Sequence, residues 1–268
     1  MVFDAVLDED DCVSQIENVL LLLRDICSEY AMAPRAVFQA GLRPSWPLVA
    51  SSEQSLEREL NDRGHFVPLP KEPAALANVI EVSIVDFLLT RLKSESGLIL
   101  TRGTERGYPD IELGGDRFDG QAYAIDVKVA RRARSGKQTQ SRITLYTGNT
   151  YFRYPELPWS GTFRRFNEYA GHLDIVVLYT FAERELSRIL DLEILVHESW
   201  RIASKRRSST TREYIGAVTS IDALRAGKGE FQSQDEFYAF WRKHPFKIGR
   251  AVQQQLDKLI KITKKSDS

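Results

Sequence analysis

Cysteine is nearly absent. Cys12 and Cys27 are the two among 268 residues, too few for a disulfide framework or a four-thiolate zinc site, so a reducing compartment suits the chain. The four histidines, His65, His172, His197 and His244, are scattered without zinc-ligand spacing and read as structural or exposed. Long apolar runs are missing as well: Val19 to Leu23 ends at Arg24 after five residues, far short of a membrane span. The acidic amino-terminal stretch lacks the basic region of a secretory signal. A cytoplasmic protein with no membrane partner is the expectation. No internal repeat and no low-complexity segment is visible, and 43% hydrophobic residues exclude a disordered chain.

Net charge is also missing, with 37 Lys and Arg against 37 Asp and Glu. That balance argues against a strongly basic nucleic-acid binder only if it holds locally, and it does not. Residues 1 to 90 carry 6 basic and 15 acidic side chains, so residues 91 to 268 carry 31 and 22. Basic density peaks between Lys128 and Arg165, where Glu156 alone opposes it, and again from Arg201 to Arg212, interleaved with Ser208, Ser209, Thr210 and Thr211. Arg and Lys mixed with Ser and Thr is the side-chain set that contacts phosphate oxygens. A solvated basic loop explains the same pattern about equally well.

Apolar spacing predicts helices over 12–30, 76–93, 235–242 and 248–262, and a short surface helix over 53–61. Pro34, Pro44 and Pro47 interrupt after the first, and Pro68, Pro70 and Pro73 lead into the second. From Leu98 the period changes to two. Strands are expected at 98–100, 111–113, 123–130, 143–146 and 192–196, and a fully apolar, centrally buried one at 174–181. Helices around a mixed sheet, of α/β or α+β type, follow.

Chemistry gathers on two of those strands. In Tyr123-Ala124-Ile125-Asp126-Val127-Lys128-Val129, alternation puts Asp126 and Lys128 on one face and the apolar residues on the other. The preceding strand opens at Tyr108-Pro109-Asp110, and a short Gly/Asp-rich connection makes the pair a hairpin that brings Asp110 to Asp126. Two adjacent carboxylates repel unless a divalent cation lies between them, and hard oxygen ligands favour Mg²⁺, with Mn²⁺ as substitute. The lysine beside them can stabilise developing charge or orient water. Glu81, on the helix face of Ile84, Val85, Leu88 and Leu92, is a third acid needing a partner. Each feature alone is commonplace: a surface ion pair, a strand-entry Asp, a helix Glu reaching solvent. Their combination, followed by basic loops, points to a metal-dependent phosphodiester nuclease.

At Pro109-Asp110 and Asp126-Val127-Lys128 the chain resembles the PD-(D/E)xK nuclease superfamily. More narrowly, it is similar to EcoRV-type type II restriction endonucleases, through Tyr108 to Ile111, Ala124 to Lys128, Ile143 to Leu145, Glu168 to Thr180, and Gly227 to Phe231 continuing to Arg242, over roughly residues 76 to 245. The resemblance implies a restriction-endonuclease-like core with a central mixed β-sheet flanked by helices, working as a homodimer on palindromic double-stranded DNA and paired with a cognate DNA methyltransferase. It implies cleavage with Mg²⁺ to 5′-phosphate and 3′-hydroxyl ends. It assigns Asp110, Asp126 and Glu81 to metal binding and Lys128 to catalysis. Lys205, Arg206, Arg207, Ser208, Ser209, Thr210, Thr211 and Arg212 fall at the major-groove recognition loop. Thr104, Glu105 and Arg106 fall at the minor-groove loop, and Thr144, Thr150 and Tyr151 near the scissile phosphate. Residues 1–75 would form a helical and dimerisation region, 76–200 the catalytic core, and 201–268 the recognition loop and carboxy-terminal helices. The recognition loop is more basic than the family pattern, and arginines there suit guanine. A repair or junction-processing nuclease on the same core, and a non-catalytic DNA-binding relative, are the rival readings.

Overall fold

The computed structural model describes residues 9–30, 52, 54, 72–104, 107–183 and 188–266. Apart from Gln54, the expected helix over 53–61 lies outside them, as do Pro34, Pro44, Pro47, Pro68 and Pro70. Helix α1 runs Glu9–Ser28 and α2 runs Pro73–Leu92. Proline at the first turn of α2 suits the missing N–H, and the Glu72 carboxylate accepts from Ala75 N at 2.7 Å to cap it. By length and composition α2 could cross a membrane, yet Leu76, Ile80, Ile84, Leu88 and Leu92 are fully buried, mostly against the sheet.

Strands β1 (Ile99–Arg102), β2 (Ile111–Gly114), β3 (Tyr123–Arg131), β5 (Gly171–Phe181) and β6 (Ile189–Glu198) form one mixed sheet in the order β1-β2-β3-β5-β6. The β2–β3 hairpin is antiparallel, with Ile111 opposite Ile125, as expected from its turn residues. β3 and β5 are parallel over nine pairs, Tyr123 to Gly171 through Arg131 to Tyr179. Parallel pairs survive where both faces are covered. Here α1 and α2 pack on Ile125, Val127, Ile175 and Val177 of one face. The other face, with Ala124, Val176 and Leu178, is covered by a second sheet, β4 (Thr144–Thr147), β8 (Tyr214–Ala217) and β7 (Ala203–Arg207), and by helix α4 (Gln234–Lys243) through Phe237 and Trp241. A short α3 (Ile221–Ala226) and the amphipathic α5 (Arg250–Ser266) complete the elements, α5 resting on Leu157 and Trp159.

Sequence spacing located the long elements and misread two regions. The buried strand starts at Gly171, three residues early, and its run is not wholly apolar, since Asp174 lies inside it. Lys205 to Arg207 belong to β7 rather than to a loop, and neither β7, β8 nor α3 shows a periodicity long enough to detect. Leu88→Ala, which opens a cavity between α2 and the sheet, is expected to lower unfolding free energy by about 2–5 kcal/mol in urea titration; a decrease below about 1 kcal/mol would contradict its complete burial.

Candidate active site

Asp110 stands one residue before β2, at the end of a cis Tyr108–Pro109 segment. Gly103 backs this segment: its N–H donates to the Asp110 carbonyl at 2.7 Å, and a Cβ there would meet the Pro109 carbonyl oxygen at 2.1 Å, so no side chain fits. The Asp110 carboxylate accepts from Val127 N at 2.7 Å, across the hairpin, while Asp110 N donates to Asp126 Oδ1 at 3.3 Å. Lys128 Nζ donates to Asp126 Oδ2 at 2.5 Å. The three residues expected from sequence therefore meet across the β2–β3 hairpin, inside the sheet.

Their electrostatics follow from burial. Desolvation, and then the neighbouring Asp126 charge, push the Asp110 carboxyl up to about 7. Burial alone would favour a neutral lysine, but Asp126, Asp110 and Asp174 hold the Lys128 ammonium above the ordinary lysine value. Glu81 is half-buried on α2, raised by desolvation and within the field of Lys128. It lines a cleft of about 250 Å³ with Lys128, Ser141, Arg142 and Thr144. Crowded hard oxygen donors with raised affinity for protons fit a divalent cation. Among the described residues no three Asp, Glu, His or Cys side chains close a ready-made cage.

Sequence reasoning missed Asp174. Its Cα partner across β3–β5 is Asp126, it is 1% exposed, and its Oδ2 has no hydrogen-bond partner among the described residues. Burial pushes its carboxyl up to about 7. The apolar residues after it, Ile175 to Leu178, disguised it as a strand boundary. Glu112 was missed too: it takes a two-pronged bond from Arg164 at 2.9 and 2.7 Å and one from the Tyr169 hydroxyl at 2.9 Å, binding the 164–169 segment to β2. Behind Asp110, the Tyr108 hydroxyl donates to His172 Nδ1 at 2.6 Å, because His172 Nε2 faces the Phe166 carbonyl at 3.1 Å and must carry the proton. Burial lowers His172 to about 3, so it stays neutral.

The expected DNA-contact residues divide. Thr144 Oγ1 and Ser208 Oγ lie 2.7 Å apart, joining the scissile-phosphate region to the recognition segment. Tyr151 stacks on Tyr108 with centroids 5.0 Å apart and takes Thr147 N on its hydroxyl at 3.3 Å; Thr150 bonds back to the Thr147 carbonyl. Lys205 pairs with Glu236 and Arg207 with Glu213. Arg206 is exposed and has no side-chain partner among the described residues. Ser209, Thr210, Thr211 and Arg212 form the β7–β8 turn, exposed from Thr210 to Arg212 and held by Ser209 Oγ accepting from Thr211 N and Arg212 N. Thr104 is exposed after β1, and Glu105 and Arg106 lie outside the described residues.

A mixed sheet flanked by helices, with a Pro-Asp strand entry beside Asp-x-Lys, has the restriction-endonuclease-like α/β architecture. The chain belongs to the EcoRV restriction endonuclease family, whose model, described as restriction endonuclease EcoRV, matches residues 45–264. The type II restriction enzyme EcoRV of Escherichia coli is 21% identical over 202 residues, covering 69% of this chain and 80% of that protein.

The raised carboxyls give the ion-free protein a signed pH dependence. Asp110 takes up its proton near 7 when folded but only near 4 when unfolded, so between those values the native state binds more protons and stability falls as pH rises. Thermal denaturation in EDTA should show Asp110→Asn less sensitive to a rise from pH 5 to 8 than the unsubstituted protein; identical slopes would remove Asp110 from the buried cluster.

Proposed function

We propose that the protein is a type II restriction endonuclease, cleaving palindromic double-stranded DNA as a homodimer to 5′-phosphate and 3′-hydroxyl ends with Mg²⁺, or Mn²⁺ in its place. The observation that carries the reading is the meeting of Asp110, Asp126 and Lys128 across the β2–β3 hairpin in a chain of the EcoRV family. Asp110 and Asp126 would hold the ion, with Glu81 contributing to a second position or tuning Lys128. When bound, the ion supplies Lewis-acid stabilisation of charge on the phosphoryl oxygens. Lys128 stabilises the same charge and orients the attacking water, its ammonium kept protonated by the carboxylates around it. The backbone holds the geometry, since Asp110 is anchored on Val127 N rather than on a mobile side chain. On this reading a cognate DNA methyltransferase protects the host's sites, and the protein works in the cytoplasm without a membrane.

Asp126→Ala and Lys128→Ala are each expected to reduce plasmid cleavage in Mg²⁺ by about 10²–10³-fold or more, the scale of removing one stabilising group; cleavage at the unsubstituted rate would refute the assignment. A discrete ladder of fragments is expected from the unsubstituted protein, and structure-selective nicking would favour a repair nuclease instead. The free Arg206 guanidinium and the paired Arg207 separate two roles. Arg206→Ala should flatten the salt dependence of DNA affinity by about 0.9 in log–log slope for each phosphate that the guanidinium neutralises, whereas Arg207→Ala should change the slope less, because Glu213 already balances that charge. Binding measured by fluorescence anisotropy in Ca²⁺ reads both slopes, and an unchanged slope for Arg206→Ala would take that residue off the phosphate backbone.

A further inference from the structure

Asp174 has no assigned role, and its position demands one. A carboxylate 1% exposed with Oδ2 unpartnered is costly to bury unless something compensates. It occupies the same sheet face as Asp126 and Lys128, because Asp126 and Asp174 are paired residues of adjacent parallel strands and side chains at matched positions point the same way. Ser199 offers its hydroxyl to this carboxylate while also lying 3.1 Å from the His172 backbone carbonyl, and among the described residues Oδ2 is left without a partner. Lys128 is within the electrostatic reach of Asp174, but its ammonium is bonded to Asp126 Oδ2.

That last bond creates a conflict if Asp126 also holds a divalent cation. The ion and the ammonium would compete for one carboxylate, and a part-buried lysine cannot simply retreat into water. We propose that Asp174 is a positioning residue for Lys128: its free Oδ2 accepts the ammonium when a divalent cation takes Asp126. Lys128 has three N–H donors, so a bond to Asp174 leaves others to meet DNA or water. No proton changes owner; one hydrogen bond to Asp126 is exchanged for one to Asp174. The proposal rests on the nuclease reading of this site, and it deepens that reading by giving ion loading and lysine placement a common device.

The test reads ion binding rather than cleavage. Free and bound Mn²⁺ would be counted by electron paramagnetic resonance on the full chain and on its Asp174→Asn, Lys128→Met and doubly substituted variants, with folding verified by circular dichroism. Asp174→Asn is expected to weaken Mn²⁺ binding about tenfold when Lys128 is present and less than threefold when Lys128→Met removes the ammonium that needs an acceptor. Asp174→Ser, smaller and equally neutral, carries the same expectation should the Asn variant fold poorly. Equal weakening in both backgrounds would make Asp174 an ion ligand or a bulk charge, and no weakening in either would make it structural; each overturns the proposal while leaving the nuclease reading intact. Failure to find any Mn²⁺ site that Asp126→Ala abolishes would overturn both.

Discussion

One ammonium, Lys128, faces the carboxylates of Asp126, Asp110 and Asp174 at the centre of a sheet covered on both sides. Like charges so close in a poorly polarisable interior are held together only by something stronger than their repulsion, and here that is backbone pairing. The β2–β3 hairpin fixes Asp110 against Val127 N, and the nine-pair parallel ladder of β3 and β5 fixes Asp126 against Asp174. A sheet centre of this kind is strained electrostatically while sound in its hydrogen bonding.

The layers around the sheet serve that cluster. On one side α2 buries five fully covered aliphatic residues and delivers Glu81 to the cleft shared with Lys128 and Thr144. On the other, the stacked Tyr108, Tyr151, His172 and Phe166 support the strand entry at Asp110, and neutral His172 joins Tyr108 to the Phe166 backbone without adding charge near the carboxylates. The second sheet brings the basic β7–β8 hairpin to the same neighbourhood through the Thr144–Ser208 contact.

What could be read from sequence follows from how local each signal is. Asp126 and Lys128 are two residues apart on a strand, so alternation alone puts them together. Asp110 needed only a hairpin to join them, and turn residues announce hairpins. Helix α2 is twenty residues long and apolar, which no short-range ambiguity can hide. Asp174 and Glu112 were illegible for the opposite reason: their meaning depends on a parallel partner 48 positions away and on Arg164, 52 positions away. The strands β7 and β8 escaped notice because five and four residues, mixing Lys and Arg or containing Gly216, carry no period.

Charge, finally, is informative only after pairing is counted. Many arginines in the basic two-thirds of the chain are spent on acids: Arg117 on Glu95, Arg132 and Arg225 on Glu193, Arg164 on Glu112, Arg201 on Glu198 and Arg207 on Glu213. A paired guanidinium projects little field beyond its partner, and salt screens what remains within about 10 Å. Among the described residues several cations are exposed and uncommitted, Lys93, Lys228, Lys243 and Lys247 among them; so are Arg134 and Lys137 on the loop that follows β3 and Arg206 on β7. Those two elements flank the strand that carries Asp126 and Lys128 and the hairpin tied to Thr144. Some of the free positive charge that a polyanion would meet thus lies on elements adjoining those that carry the carboxylates, so a chain of zero net charge keeps an attractive face.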